Sequence, residues 1–79
     1  MDETARKITP FQKDVKKYIH EHPGRTAEDI ANHCRSVYIG VVDIYETTMR
    51  AIYSLLFNDH IVRSDTGTFT VREFQEYTQ

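Results

Sequence analysis

The sequence predicts a mainly α-helical domain closed by a small β-hairpin. Three observations carry this. Apolar residues recur with helical spacing in three separate stretches. Hydroxyl or acidic residues stand where each stretch begins, and there the free backbone N–H groups need acceptors. Finally, Ile61-Val62-Arg63 and Phe69-Thr70-Val71 flank a turn, Ser64 to Thr68, in which Gly67 supplies a positive φ.

Residues 1–8 read as a flexible arm, and a single domain is expected over 9–79. Thr9-Pro10 starts the first helix, with an N-cap hydroxyl and a proline at the first helical position. Phe11, Val15, Tyr18, Ile19 and His22 fall on one face of it, while Lys13, Lys16 and Lys17 fall away. Pro23-Gly24 stops it. Thr26 and Asp29 form a capping box for a second helix, with Ala27, Ile30, Ala31 and Cys34 inward and its end near Arg35.

Residues 36–42, SVYIGVV, combine β-branched side chains with Gly40. They predict an extended or irregular connector, with the start of a long third helix as the alternative. Asp43 and Glu46 make the next capping pair, and the third helix runs from about Ile44 to Asn58. Met49, Ile52, Tyr53 and Leu56 form its expected buried stripe. The hairpin spans 61–71. In 72–79 the spacing of Val71, Phe74 and Tyr77 suggests a tail or short closing helix.

Composition narrows the function. A chain of 79 residues buries only about 60–65% of its unfolded surface, too little for a deep catalytic cleft. The net charge of −2 limits phosphate attraction to a local patch. A single cysteine, Cys34, excludes an intrachain disulfide and suits a reducing compartment. No apolar run approaches the ~20 residues of a membrane span, and MDETARKITP lacks the apolar core of a signal peptide. A cytoplasmic protein is expected. His20 and His22 point to different sides of a helix, and His33-Cys34 lacks partners at ligand spacing. No metal, cofactor or catalytic residue is expected, and no enzyme activity.

Thr47-Thr48-Met49-Arg50 resembles the start of many winged-helix recognition helices. Asn58-Asp59-His60-Ile61-Val62 resembles the exit into the wing, and Thr26-Ala27-Glu28-Asp29-Ile30-Ala31 the second helix. The chain thus resembles the winged helix-turn-helix superfamily over roughly residues 10–71. It departs twice. His60 stands where the pattern has glycine, and SVYIGVVD lengthens the link between the second and third helices.

The resemblance implies a DNA-binding protein, acting as a transcriptional regulator or accessory factor. Its third helix would enter the major groove and its wing would touch the backbone. The outward face of that helix is expected to hold Glu46, Thr47, Arg50, Ala51 and Ser54, with Tyr45 and Thr48 at the margin. Arg50 can grip a guanine, and the hydroxyls can bond phosphates or base edges. Arg63, Ser64, Thr66 and Thr68 are the hairpin candidates. Lys13, Lys17, Arg25 and Arg35 are further phosphate contacts. Asp43, Glu46 and Asp65 oppose phosphate nearby.

Apolar side chains beyond the needs of a three-helix core point to a second surface. Val37, Tyr38, Ile39, Leu55, Phe57, Phe74 and Tyr77 are its candidates, for a homodimer or a protein partner. The alternative function is a protein-interaction module of the same fold that does not bind DNA.

Overall fold

Thr9 caps the first helix twice over. Its hydroxyl accepts the Gln12 N–H at 3.1 Å, and the Gln12 side chain accepts the Thr9 N–H at 3.2 Å. Two orphan donors are thereby satisfied at the start of α1, Pro10–Glu21. The computed structural model describes residues 8–72. After α1 come β1 (Arg25–Thr26), α2 (Ala27–Val37), α3 (Ile44–Phe57), β2 (Ile61–Arg63) and β3 (Thr68–Val71). The expected arm, 1–8, and the expected tail, 72–79, lie outside the described residues apart from Ile8 and Arg72.

The helical apolar faces close one core. Val15 and Ile19 of α1, Ile30 and Cys34 of α2, and Ile44, Ala51, Ile52 and Leu55 of α3 meet Ile61 and Phe69. Thr26 opens α2 with the predicted capping box, its hydroxyl accepting the Asp29 N–H at 3.2 Å. On the flank of the core, Tyr18 of α1 stacks on His33 of α2, ring centroids 4.0 Å apart.

The sheet has three antiparallel strands in the order β1-β3-β2, so the expected hairpin gains an edge strand. Arg25-Thr26 pairs with Thr68-Phe69, while Ile61, Val62 and Arg63 face Val71, Thr70 and Phe69. A two-residue strand has no periodicity of its own. It forms because the stop at Pro23-Gly24 returns the chain beside β3, and Gly24 donates its N–H to Phe69 O at 3.0 Å. Gly67 takes φ 84° in the β2–β3 turn, as its position requires.

Three local expectations are corrected. The second helix passes Arg35 and ends at Val37, because Ser36 and Val37 still lie within its hydrogen-bonded spiral. The link from α2 to α3, residues 38–43, is an irregular turn with Gly40 at φ 94°, and the third helix begins only after it. Asp43 makes no capping bond through its side chain. Its backbone is left-handed, at φ 59°, and Glu46 turns instead to Arg50. At the exit of α3 the left-handed residue is Asp59, φ 63°, so the glycine-like position lies one residue before His60.

His60 is buried instead. Its N–H donates to Leu55 O at 2.8 Å, its carbonyl accepts from Arg72 at 3.0 Å, and Lys16 Nζ donates to its Nδ1 at 3.0 Å. Lys16, expected to point away from the core, is half-buried by that reach.

Candidate nucleic-acid interface

Helix α3 decides what the candidate interface can offer. Its buried residues are Ile44, Thr48, Ala51, Ile52 and Leu55, at i, i+4, i+7, i+8 and i+11. This stripe is rotated from the expected one. Tyr53, expected inward, is 58% exposed, and Ala51, expected outward, is 4% exposed. Met49 and Leu56 are half-buried at the border. The physical reason is space. Small Ala51 and Thr48 allow α3 to approach α1 and α2 closely, which its tyrosines would prevent.

Thr48 therefore leaves the set of DNA contacts. It is fully buried, and its hydroxyl has no hydrogen-bond partner. It lies near the Cys34 thiol, whose pKa burial raises; the Thr48 hydroxyl lowers it and the charge of Asp14 adds a smaller increase. The hydroxyl–thiol pair does not reach good hydrogen-bond geometry, so Thr48 Oγ1 stays unsatisfied and the pair is a weak contact. Leu55 leaves the partner surface, since it is 0% exposed in the core.

The remaining polar arc of α3 holds Glu46, Thr47, Arg50 and Ser54, the last half-buried. Arg50 donates to Glu46 at 2.8 Å, with side chains 77% and 61% exposed. An exposed i,i+4 pair contributes only about 0.3–0.5 kcal/mol, so a phosphate or a guanine can displace Glu46 at small cost. Thr47 and Arg50 line a shallow groove of about 270 Å³ with Thr9 and Gln12. The groove thus joins α3 to the N-terminus of α1, where the positive end of the helix dipole favours anions. Thr9 and Gln12 are not among the expected contacts. Their signal in the sequence is the Thr-x-x-Gln spacing, which reads as a cap and carries no sign of a neighbouring α3.

The sheet brings Arg25 and Arg63 together. Both lie opposite Phe69, one on each side of β3. Directly opposed residues point to one face, and two strand spacings separate the arginine backbones by about 10 Å. Phe69 is buried there while both arginines stay exposed at the edges. In the β2–β3 turn, Ser64 Oγ lies 2.9 Å from Thr66 Oγ1 and 2.7 Å from Thr68 Oγ1. It also accepts the N–H groups of Thr66 and Thr68, each at 3.2 Å. These hydroxyls build the turn first, which leaves them fewer free lone pairs for a ligand.

The other basic candidates are dispersed. Lys13 is exposed on α1, and Arg35 on α2 donates to Asn32 Oδ1 at 2.6 Å. Lys17 lines a groove between α1 and α2 that also holds Asp14 and Glu21, whose charges oppose phosphate. Tyr45 is 51% exposed at the first turn of α3.

Of the partner candidates, Val37, Ile39 and Phe57 are exposed, at 52%, 85% and 86%. Tyr38 is engaged within the chain. Its ring meets Phe11 edge-on at 5.0 Å, and its hydroxyl donates to Asp14. That hydrogen bond, with lesser help from desolvation and charge, pushes the phenol pKa up to about 12. Phe74 and Tyr77 lie outside the described residues.

Among the described residues, no three His, Cys, Asp or Glu side chains converge as metal ligands. Among them, too, no helix is long and apolar enough to cross a membrane. Compared with protein-family models, curated proteins and solved structures, the chain has no significant match.

Proposed function

We propose that this chain is a winged-helix DNA-binding protein that acts in transcription control, with α3 as its recognition helix and the β2–β3 hairpin as its wing. The observation that carries the reading is the groove shared by Thr47 and Arg50 of α3 with Thr9 and Gln12 at the N-terminus of α1. A duplex seated there meets a base-reading arginine beside the capped first turn of α1. Arg25 and Arg63, in one row across the sheet, supply a second pair of phosphate contacts.

The charge of the protein sets the scale. Three arginines working against a net charge of −2 give modest affinity. Neutralising about three phosphates gives a log–log salt slope near −3, or roughly a forty-fold loss between about 50 and 200 mM salt. Titration of a labelled short duplex by fluorescence anisotropy, at several salt concentrations, tests the reading. Arg50→Ala should cost about 1–3 kcal/mol of binding if Arg50 reads a base. Full affinity in a folded Arg50→Ala protein would sink the assignment of α3.

A second reading rests on a specific observation. Ile39, Val42 and Phe57 are each at least 80% exposed, which suits a module that docks a protein through apolar contacts. Docking of that kind responds little to salt, whereas duplex binding falls steeply.

A further inference from the structure

Helix α3 carries an apolar face that the core leaves uncovered. Tyr45, Met49, Tyr53 and Phe57 recur every four residues along it, over about 18 Å. At about 100° per residue, Leu56 falls within the same face. Tyr45, Tyr53 and Phe57 are 51%, 58% and 86% exposed, while Met49 and Leu56 are half-buried along the edge of the core. Glu46 lies between Tyr53 and Phe57 in angle, and its ion pair with Arg50 leaves that border neutral in sum.

We propose that this face seats a second copy of the chain, forming a two-fold dimer through antiparallel α3 helices. The spacing argues for self-pairing. Positions 45, 49, 53 and 57 read the same from either end. A two-fold axis between Met49 and Tyr53 therefore sets Tyr45 opposite Phe57 of the other copy, and Met49 opposite its Tyr53. Such an interface is isologous and closes on itself. A row at four-residue spacing is also the ridge that interdigitates in the commonest class of helix packing.

The area agrees. An aromatic side chain offers roughly 200 Å², so these three at their exposures present about 400 Å². That already matches the largest apolar patch of an ordinary monomer, about 300–600 Å². With the half-buried Met49 and Leu56 the face reaches about 500 Å² per copy, so two copies bury about 1,000 Å², the lower bound of a specific interface. The dimer does not depend on DNA binding. Because Arg50 borders the face, a second copy there and a duplex at Arg50 exclude one another, and the test is run without DNA.

Sedimentation equilibrium of the full chain from about 10 μM to about 1 mM reads the dimer directly. The expected result is a shift from the 9.3 kDa monomer to twice that mass. Tyr53→Glu with Phe57→Glu should abolish the shift while the circular dichroism stays unchanged, since both side chains are exposed. A wild-type monomer throughout, a dimer that survives both substitutions, or growth beyond the dimer would each overturn the proposal. A second measurement covers a variant that fails to fold. In a mixture of labelled and unlabelled wild-type chains, intermolecular NOEs should join the Met49 methyl to the Tyr53 ring, and their absence in a dimer overturns the proposed pairing.

Discussion

Replacing Thr48 by valine probes how α3 is seated. Valine keeps the branched shape of threonine and its helix propensity, and exchanges the hydroxyl for a methyl group. Thr48 is 0% exposed and its Oγ1 has no hydrogen-bond partner. A buried hydroxyl left unpaired costs about 1–3 kcal/mol, because water satisfies it in the unfolded chain. The weak contact with Cys34 returns part of this, so Thr48→Val should stabilise the fold by about 1–2 kcal/mol. For a domain of this size each kcal/mol raises Tm by roughly 4–8 °C. Thermal and urea unfolding, followed by circular dichroism, measure the change. A midpoint that is unchanged or lower would refute the packing argument. Duplex affinity should be the same for both proteins, because a side chain inside the core touches no DNA. Loss of affinity in a stabilised Thr48→Val protein would show that α3 turns Thr48 outward after all.

The same structure leads to other outcomes. Burial raises the Cys34 thiol pKa, so the folded chain holds that proton where the unfolded chain releases it; stability should be level near neutrality and fall as pH rises above about 9. The hydrogen bond to Asp14 shifts Tyr38 in the same direction and extends the fall toward pH 12. Urea midpoints between neutral and alkaline pH check this, and an equal alkaline loss in Cys34→Ala would rule out the thiol as a cause. Asp59 holds φ 63°, which costs an L-residue about 1–2 kcal/mol, so Asp59→Gly should raise the midpoint and Asp59→Val should lower it. A lower midpoint for the glycine variant would show that the Asp59 side chain supports the exit of α3. Duplex binding should weaken with salt and with Arg50→Ala, and the Tyr53/Phe57 face should govern association of the protein with itself.

Much of the fold is written locally. Thr9 with Gln12 and Thr26 with Asp29 cap their helices through side chains three residues apart, a distance set by the chain itself. Pro23-Gly24 and Ser64-to-Gly67 reverse the chain through backbone preferences that need no distant partner. The candidate interface is less legible. Arg63 and Arg50 stand out as exposed cations on predicted elements, but nothing near Arg25 reveals that it lies in register with Arg63. That pairing depends on Phe69, far along the chain.

By itself, then, the sequence determined three helices and a hairpin, the boundaries set by caps and turns, and a charge too low for broad attraction to phosphate. Tertiary structure alone decided which way α3 faces. Hydrophobicity placed Tyr53 inside and Ala51 outside, and packing reversed them. Close approach of three helices selects side chains by volume as well as polarity, so small Ala51 and Thr48 occupy the seam and the aromatic residues are left at the surface. The third strand was decided in the same way, because its partner is supplied by the fold and not by its neighbours in the chain.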